Sequence, residues 1–156
     1  MHAMHTTLVL GLGNELLADD GVGVIAARQL ADELAGRADV VETAMHGLAL
    51  LDYFIGYERA VLIDAIQTGR HPPGTVLDLD PADLRAVRAP TPHFAGLPEM
   101  LAVAEQLELD FPRQFRIVAV EIANALELGA AMTDAVAAAL PEVLARVRAH
   151  LRAWGV

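Results

Sequence analysis

The sequence predicts an α/β three-layer sandwich: a twisted, mostly parallel (mixed) sheet of about five strands with helices on both faces. Three observations carry this. Short β-like apolar runs alternate with longer segments of helical period, in the order β-α-β-α-β-β-α-β-α. The run Ala60–Ile66 is almost continuously apolar, as in a strand whose two faces are both covered. The length of 156 residues suits one such domain and is too short for two, so residues 1–156 are read as a single domain.

Thr7–Leu10 reads as the first strand, emptying into the turn Gly11-Leu12-Gly13-Asn14. A helix follows from Asp20 to Leu34, with Val22, Ile25, Ala26, Leu30 and Leu34 near one face and Gly36 as its stop. Asp39–Ala44 is the second strand, Leu48–Ile55 a short apolar helix and Ala60–Ile66 the third strand. The link Gln67–Pro73 is too short for a crossover helix, so Thr75–Leu79 is expected to run antiparallel to its predecessor. Pro90–Pro98 is a proline-rich loop holding His93. A helix over Leu97–Leu109 leads from it to the strand Phe115–Ile122. The last helix spans Thr133–Trp154, and Pro141 inside its apolar stripe is expected to kink it or split it in two.

Composition removes whole classes of chemistry. The chain has no Cys, Ser or Lys, which excludes serine and cysteine nucleophiles, thiolate metal sites, a P-loop lysine and a Schiff base. Carboxylates, six His, seven Thr, Arg, backbone groups and bound metal remain. A net charge of −10 argues against nucleic acid and anionic membrane surfaces as partners. No apolar run reaches the roughly 20 residues needed to span a bilayer, and no signal peptide is evident. The expectation is an acidic, soluble cytoplasmic monomer.

Sites in open α/β sheets form outside the carboxyl ends of the parallel strands, where the strand order switches. Three segments meet that condition: the stretch from Gly11 to Gly23, the end of the third strand at Asp64, and the loop with His93. A dinucleotide fingerprint would need Gly where Leu16 stands, and two aspartates precede the helix, so nucleotide binding is disfavoured. Asp19 or Asp20 could serve simply as a helix N-cap, which explains one aspartate better than two. Asp64 interrupts a strongly apolar strand, where a carboxylate must be paired, hydrogen-bonded or metal-bound. A lone loop His such as His93 is ordinarily a solvated or capping residue. Two carboxylates and an imidazole brought together would nevertheless make an open N/O metal site.

The stretch Gly11-Leu-Gly-Asn-Glu-Leu-Leu-Ala-Asp-Asp-Gly-Val-Gly23, then Leu62-Ile-Asp-Ala65, then Pro92-His93-Phe-Ala-Gly-Leu97, resembles the hydrogenase maturation endopeptidases. The likeness runs over essentially the whole chain and in the right order. It implies a helix-flanked twisted sheet and a protease that removes the C-terminal extension of a nickel–iron hydrogenase large-subunit precursor after nickel insertion. The metal ligands it implies are Asp20, Asp64 and His93, with Asp20 and Asp64 as candidate catalytic residues; Asn14, Glu15 and Asp19 match surrounding motif positions. Nickel would come from the substrate, with no organic cofactor. The hydrolytic water would be activated either by the metal or by a carboxylate acting as general base. The other reading is a nickel-sensing scaffold without cleavage. Glu42-Thr43-Ala44-Met45, followed by His46, departs from the Asp-Gly-Gly-Thr common in the family, which bears on which large subunit is recognised. His46 reads as a loop residue without a role, or as an extra polar contact; His2, His5, His71 and His150 read as peripheral.

Overall fold

Side chains of β1 (Thr7–Leu12) alternate between two apolar layers: Leu8, Leu10 and Leu12 enter one core cluster and Val9 the other. The same alternation holds in β3 (Arg59–Ile66) and β5 (Gln114–Glu121), where Val61, Ile63, Val118 and Val120 face one side and Leu62, Ile66, Ile117 and Ala119 the other. A sheet that is apolar on both faces needs helices on both. The computed structural model, which describes residues 5–84, 96–123 and 127–156, supplies them. Helices α1 (Val22–Leu34) and α5 (Asp134–Ala153) cover the first face. The 3-10 turn Gly47–Leu50, α2 (Leu51–Phe54), α3 (Pro81–Leu84) and α4 (Leu97–Gln106) cover the second.

The strand order is β2-β1-β3-β5-β4, with β2 at Asp39–Thr43 and β4 at Val76–Leu79. Pairings β1–β2, β1–β3 and β3–β5 are parallel; β4–β5 is antiparallel. The expected five-stranded mixed sandwich is therefore the observed fold. The β4 strand runs opposite to β3, as its short link requires, but β5 lies between the two. The order of crossovers reverses at β1, whose neighbours β2 and β3 follow it in sequence, and this opens a crevice between the carboxyl ends of β1 and β3.

Several details differ from expectation: β1 continues through Gly11 to Leu12, the apolar segment 48–55 forms a 3-10 turn and a one-turn helix, the helix from Leu97 ends at Gln106, and a short helix at Pro81–Leu84 joins the second face. The first helix begins at Val22, after a separate 3-10 turn over Ala18–Gly21. Pro141 does not split the last helix, which runs unbroken from Asp134 to Ala153. Pro141 and Ala137 both lie on its exposed side, so the carbonyl that proline cannot bond is open to water rather than buried.

Glycine brings α1 down onto the crevice. A Cβ at Gly23 would run into the carbonyl oxygens of both Leu12 and Ile63, at the ends of β1 and β3. One at Gly11 would strike the Gly23 backbone and the Ala27 side chain. Gly23→Ala is therefore expected to push the helix start off the sheet and to cost about 1–3 kcal/mol, measurable by urea denaturation; a wild-type midpoint would contradict the close-packing account.

Candidate active site

The loop leaving β1 is folded by its own polar groups. Gly13, at φ 145°, turns the chain in a region that favours glycine. The Asn14 side-chain oxygen accepts the Leu16 N–H at 3.0 Å, and the Asn14 carbonyl accepts the Leu17 N–H at 3.0 Å. The 3-10 turn Ala18–Gly21 then carries two consecutive buried carboxylates, Asp19 and Asp20. Ala18 enters this turn at φ 43°, a left-handed conformation that costs a non-glycine residue energy. The turn folds back on the strand end, where Gly13 leaves room for the Asp20 carbonyl and Gly21 for the Glu15 backbone.

Asp20 is 2% exposed and accepts the Asn14 N–H on Oδ2 at 3.0 Å, tying the end of the loop to its beginning. The turn that carries it packs against β3, the strand that carries Asp64. Asp64 is fully buried on the face of α2 and α4, and its Oδ1 accepts the Ala65 N–H at 2.8 Å. Two of the three residues singled out from the sequence thus come from the two strand ends that flank the crevice. His93 lies outside the described residues. Among the described residues, no group of three or more His, Asp or Glu side chains is arranged to hold a metal ion.

The two aspartates are not helix caps. The residue at the N-cap of α1 is Gly21, and no side chain caps either the 3-10 turn or the helix. Asp19 instead reaches across the fold: Thr133, at the N-cap of α5, donates its N–H to Asp19 Oδ1 at 2.7 Å and stands 3.0 Å through its hydroxyl from Oδ2. Beside this tether the Gly129 N–H donates to the Leu16 carbonyl at 2.8 Å, and Leu17 bridges Leu128. The turn holding Asp20 is thereby fastened to the last helix.

Two further groups were missed in the sequence. Glu121 is 1% exposed at the end of β5, on the same face as Asp64, and accepts both the N–H (2.8 Å) and the hydroxyl of Thr68. It closes an apolar run just as Asp64 interrupts one, so the same reasoning would have found it. Arg28, on the exposed side of α1, donates to Glu15 and Glu42 from opposite sides, at 2.6 and 2.8 Å. Its hydrogen bonds hold the Glu15 carboxyl below the usual carboxylate range. These three residues, with Gly13, Asn14, Leu16, Thr43 and Ala44, line a cleft of about 330 Å³. Of the remaining described histidines, His5 lies 3.8 Å from Asp39 and His150 2.6 Å from Asp78, while His71 and His46, two residues past the lining Ala44, are exposed.

A doubly wound α/β domain with buried carboxylates at its β1/β3 switch point carries its polar groups where scaffolds of this class bind ligands. The chain belongs to the hydrogenase maturation protease family, whose model matches residues 24–150. It is 31% identical to the hydrogenase 2 maturation protease of Escherichia coli, over 96% of this chain and 92% of that one. It is 30% identical to the hydrogenase expression/formation protein HupD of Rhodobacter capsulatus, over 96% of this chain and 72% of that protein. Among solved structures, the hydrogenase maturating endopeptidase HybD from E. coli superposes with a TM-score of 0.79 at 31% identity, covering 96% of this chain and 93% of that one.

The tether makes a measurable claim. Thr133→Val removes a hydroxyl that serves a buried carboxylate and should lower stability by about 1–3 kcal/mol, whereas Thr133→Ser should stay close to wild type in the same urea titration. Equal loss in both variants would show that the hydroxyl bond contributes nothing.

Proposed function

We propose that this protein is an endopeptidase that removes the C-terminal extension of a nickel–iron hydrogenase large-subunit precursor, and that nickel already seated in the precursor is its recognition element. The observation that carries the reading is the pair of buried carboxylates, Asp20 and Asp64, at the switch point of a chain in this family. Carboxylate oxygens, joined by the imidazole of His93, form a donor set suited to a divalent first-row metal and leave coordination positions for ligands from the substrate. Binding energy of this kind is available only from a precursor that carries its metal, so cleavage doubles as a check on metal insertion.

Asp20 and Asp64 are also the proposed catalytic residues. No serine or cysteine is present, so hydrolysis falls to water. Either the substrate's metal lowers the pKa of that water, or one of the two carboxylates takes its proton as the water oxygen attacks the scissile carbonyl. The proton then passes to the departing amine. No organic cofactor is required. We further propose that the protein works as a monomer in the cytoplasm; among the described residues no helix is long and apolar enough to cross a membrane.

The test is a mobility-shift gel of the precursor, with and without nickel. Wild-type protein should shorten only the nickel-loaded form. His93→Ala and Asp64→Asn should each slow processing by about 10²-fold or more while their thermal unfolding stays cooperative. Equal cutting of nickel-free precursor, or full activity of His93→Ala, would overturn the nickel-recognition reading. A nickel-loaded precursor that binds but is never cut would identify a nickel-sensing scaffold instead.

A further inference from the structure

Six large apolar side chains are exposed among the described residues; one of them lines the cleft beside Asp20 and two more adjoin its lining residues. Leu16 is 62% exposed on the cleft wall, and Leu128, 74% exposed, adjoins it through the Leu17–Leu128 bridge and the Gly129-to-Leu16 hydrogen bond. Met45 (48%) follows the lining residue Ala44, and Leu48 (55%) comes further on, within the 3-10 turn Gly47–Leu50. The other two, Leu107 and Leu109, lie beyond the end of α4. A monomeric surface scatters its exposed apolar residues. A cluster around one cleft, with a polar floor of Glu15, Glu42 and Arg28, has the anatomy of a protein-docking site.

We propose that Leu16, Met45 and Leu128 form the surface on which the precursor docks, receiving an apolar stretch next to its metal-bearing segment. This rests on the processing role proposed above. Two features favour that occupant. The surface is continuous with the site, because Leu16 belongs to the loop whose Asn14 N–H is held by Asp20. Charge is the second. Arg28 offsets only one of the two cleft glutamates, and Asp20, Asp64 and Glu121 lie at the same sheet edge. A second copy would bring an identical acidic edge against this one, whereas a partner carrying a divalent cation supplies the complement.

The experiment compares Leu16→Glu, Met45→Glu and Leu128→Glu with wild type and with Leu107→Glu, the exposed leucine away from the cleft, using nickel-loaded precursor. KM should rise about tenfold or more in the three cleft variants, with kcat within about twofold of wild type, and Leu107→Glu should change neither. If any Glu variant unfolds early, the Gln substitution at the same position takes its place. Unchanged KM at all three positions, with wild-type processing intact, would sink the docking surface and leave the protease reading standing. Should wild type cut nothing, the protease reading fails alone, and calorimetric binding of precursor then decides the surface. Affinity lost in the cleft variants upholds it, and affinity retained overturns it. A wild-type dimer in sedimentation that Leu16→Glu makes monomeric would assign the surface to a second copy and overturn the proposal.

Discussion

The site depends on a contact between backbones. At Gly11 and Gly23 the start of α1 rests directly on the ends of β1 and β3, with no side chain between them. That approach fixes how far the polypeptide can travel between the end of β1 and the beginning of the helix. The intervening residues are compressed into a loop that folds on itself, with Asn14 turning it and Asp20 closing it. Close packing of helix on sheet and burial of the first acidic pair are therefore one geometric fact. Substituting bulk at either glycine would alter the site before it altered the core.

Much of this was legible in the residues. Alternation and uninterrupted apolar runs identified the strands, because a sheet covered on both faces admits almost no polar residue. That same rule made Asp64 conspicuous. The glycines between 11 and 23 were visible too, but their reason was not: they serve close backbone approach, and no phosphate cradle is needed to explain them. What local pattern could not supply was partnership at long range. Asp19 and Thr133 are 114 positions apart, so an aspartate before a helix read as a cap. Arg28 meets Glu15 and Glu42 only because α1 returns alongside the end of β2. The location of β4 outside β5 was equally unreadable, since a short link constrains direction but not which neighbour a strand takes.

The chemistry follows from scarcity. A chain without serine, cysteine or lysine has few groups left for chemistry, and the buried ones among the described residues are mainly carboxylates.

The strand order also dictates a sequence of events on the ribosome. The β4 strand emerges early yet has no partner until β5, some thirty-five residues later, has been made and slotted between it and β3. Asp19, near the amino terminus, waits longer still, until Thr133 arrives with the final helix. A nascent chain lacking its last quarter holds a carboxylate whose buried position has no donor to meet it. The loop bearing Asp20 is consequently among the last parts to be secured, because the tether that fastens it to the last helix forms only when that helix is made.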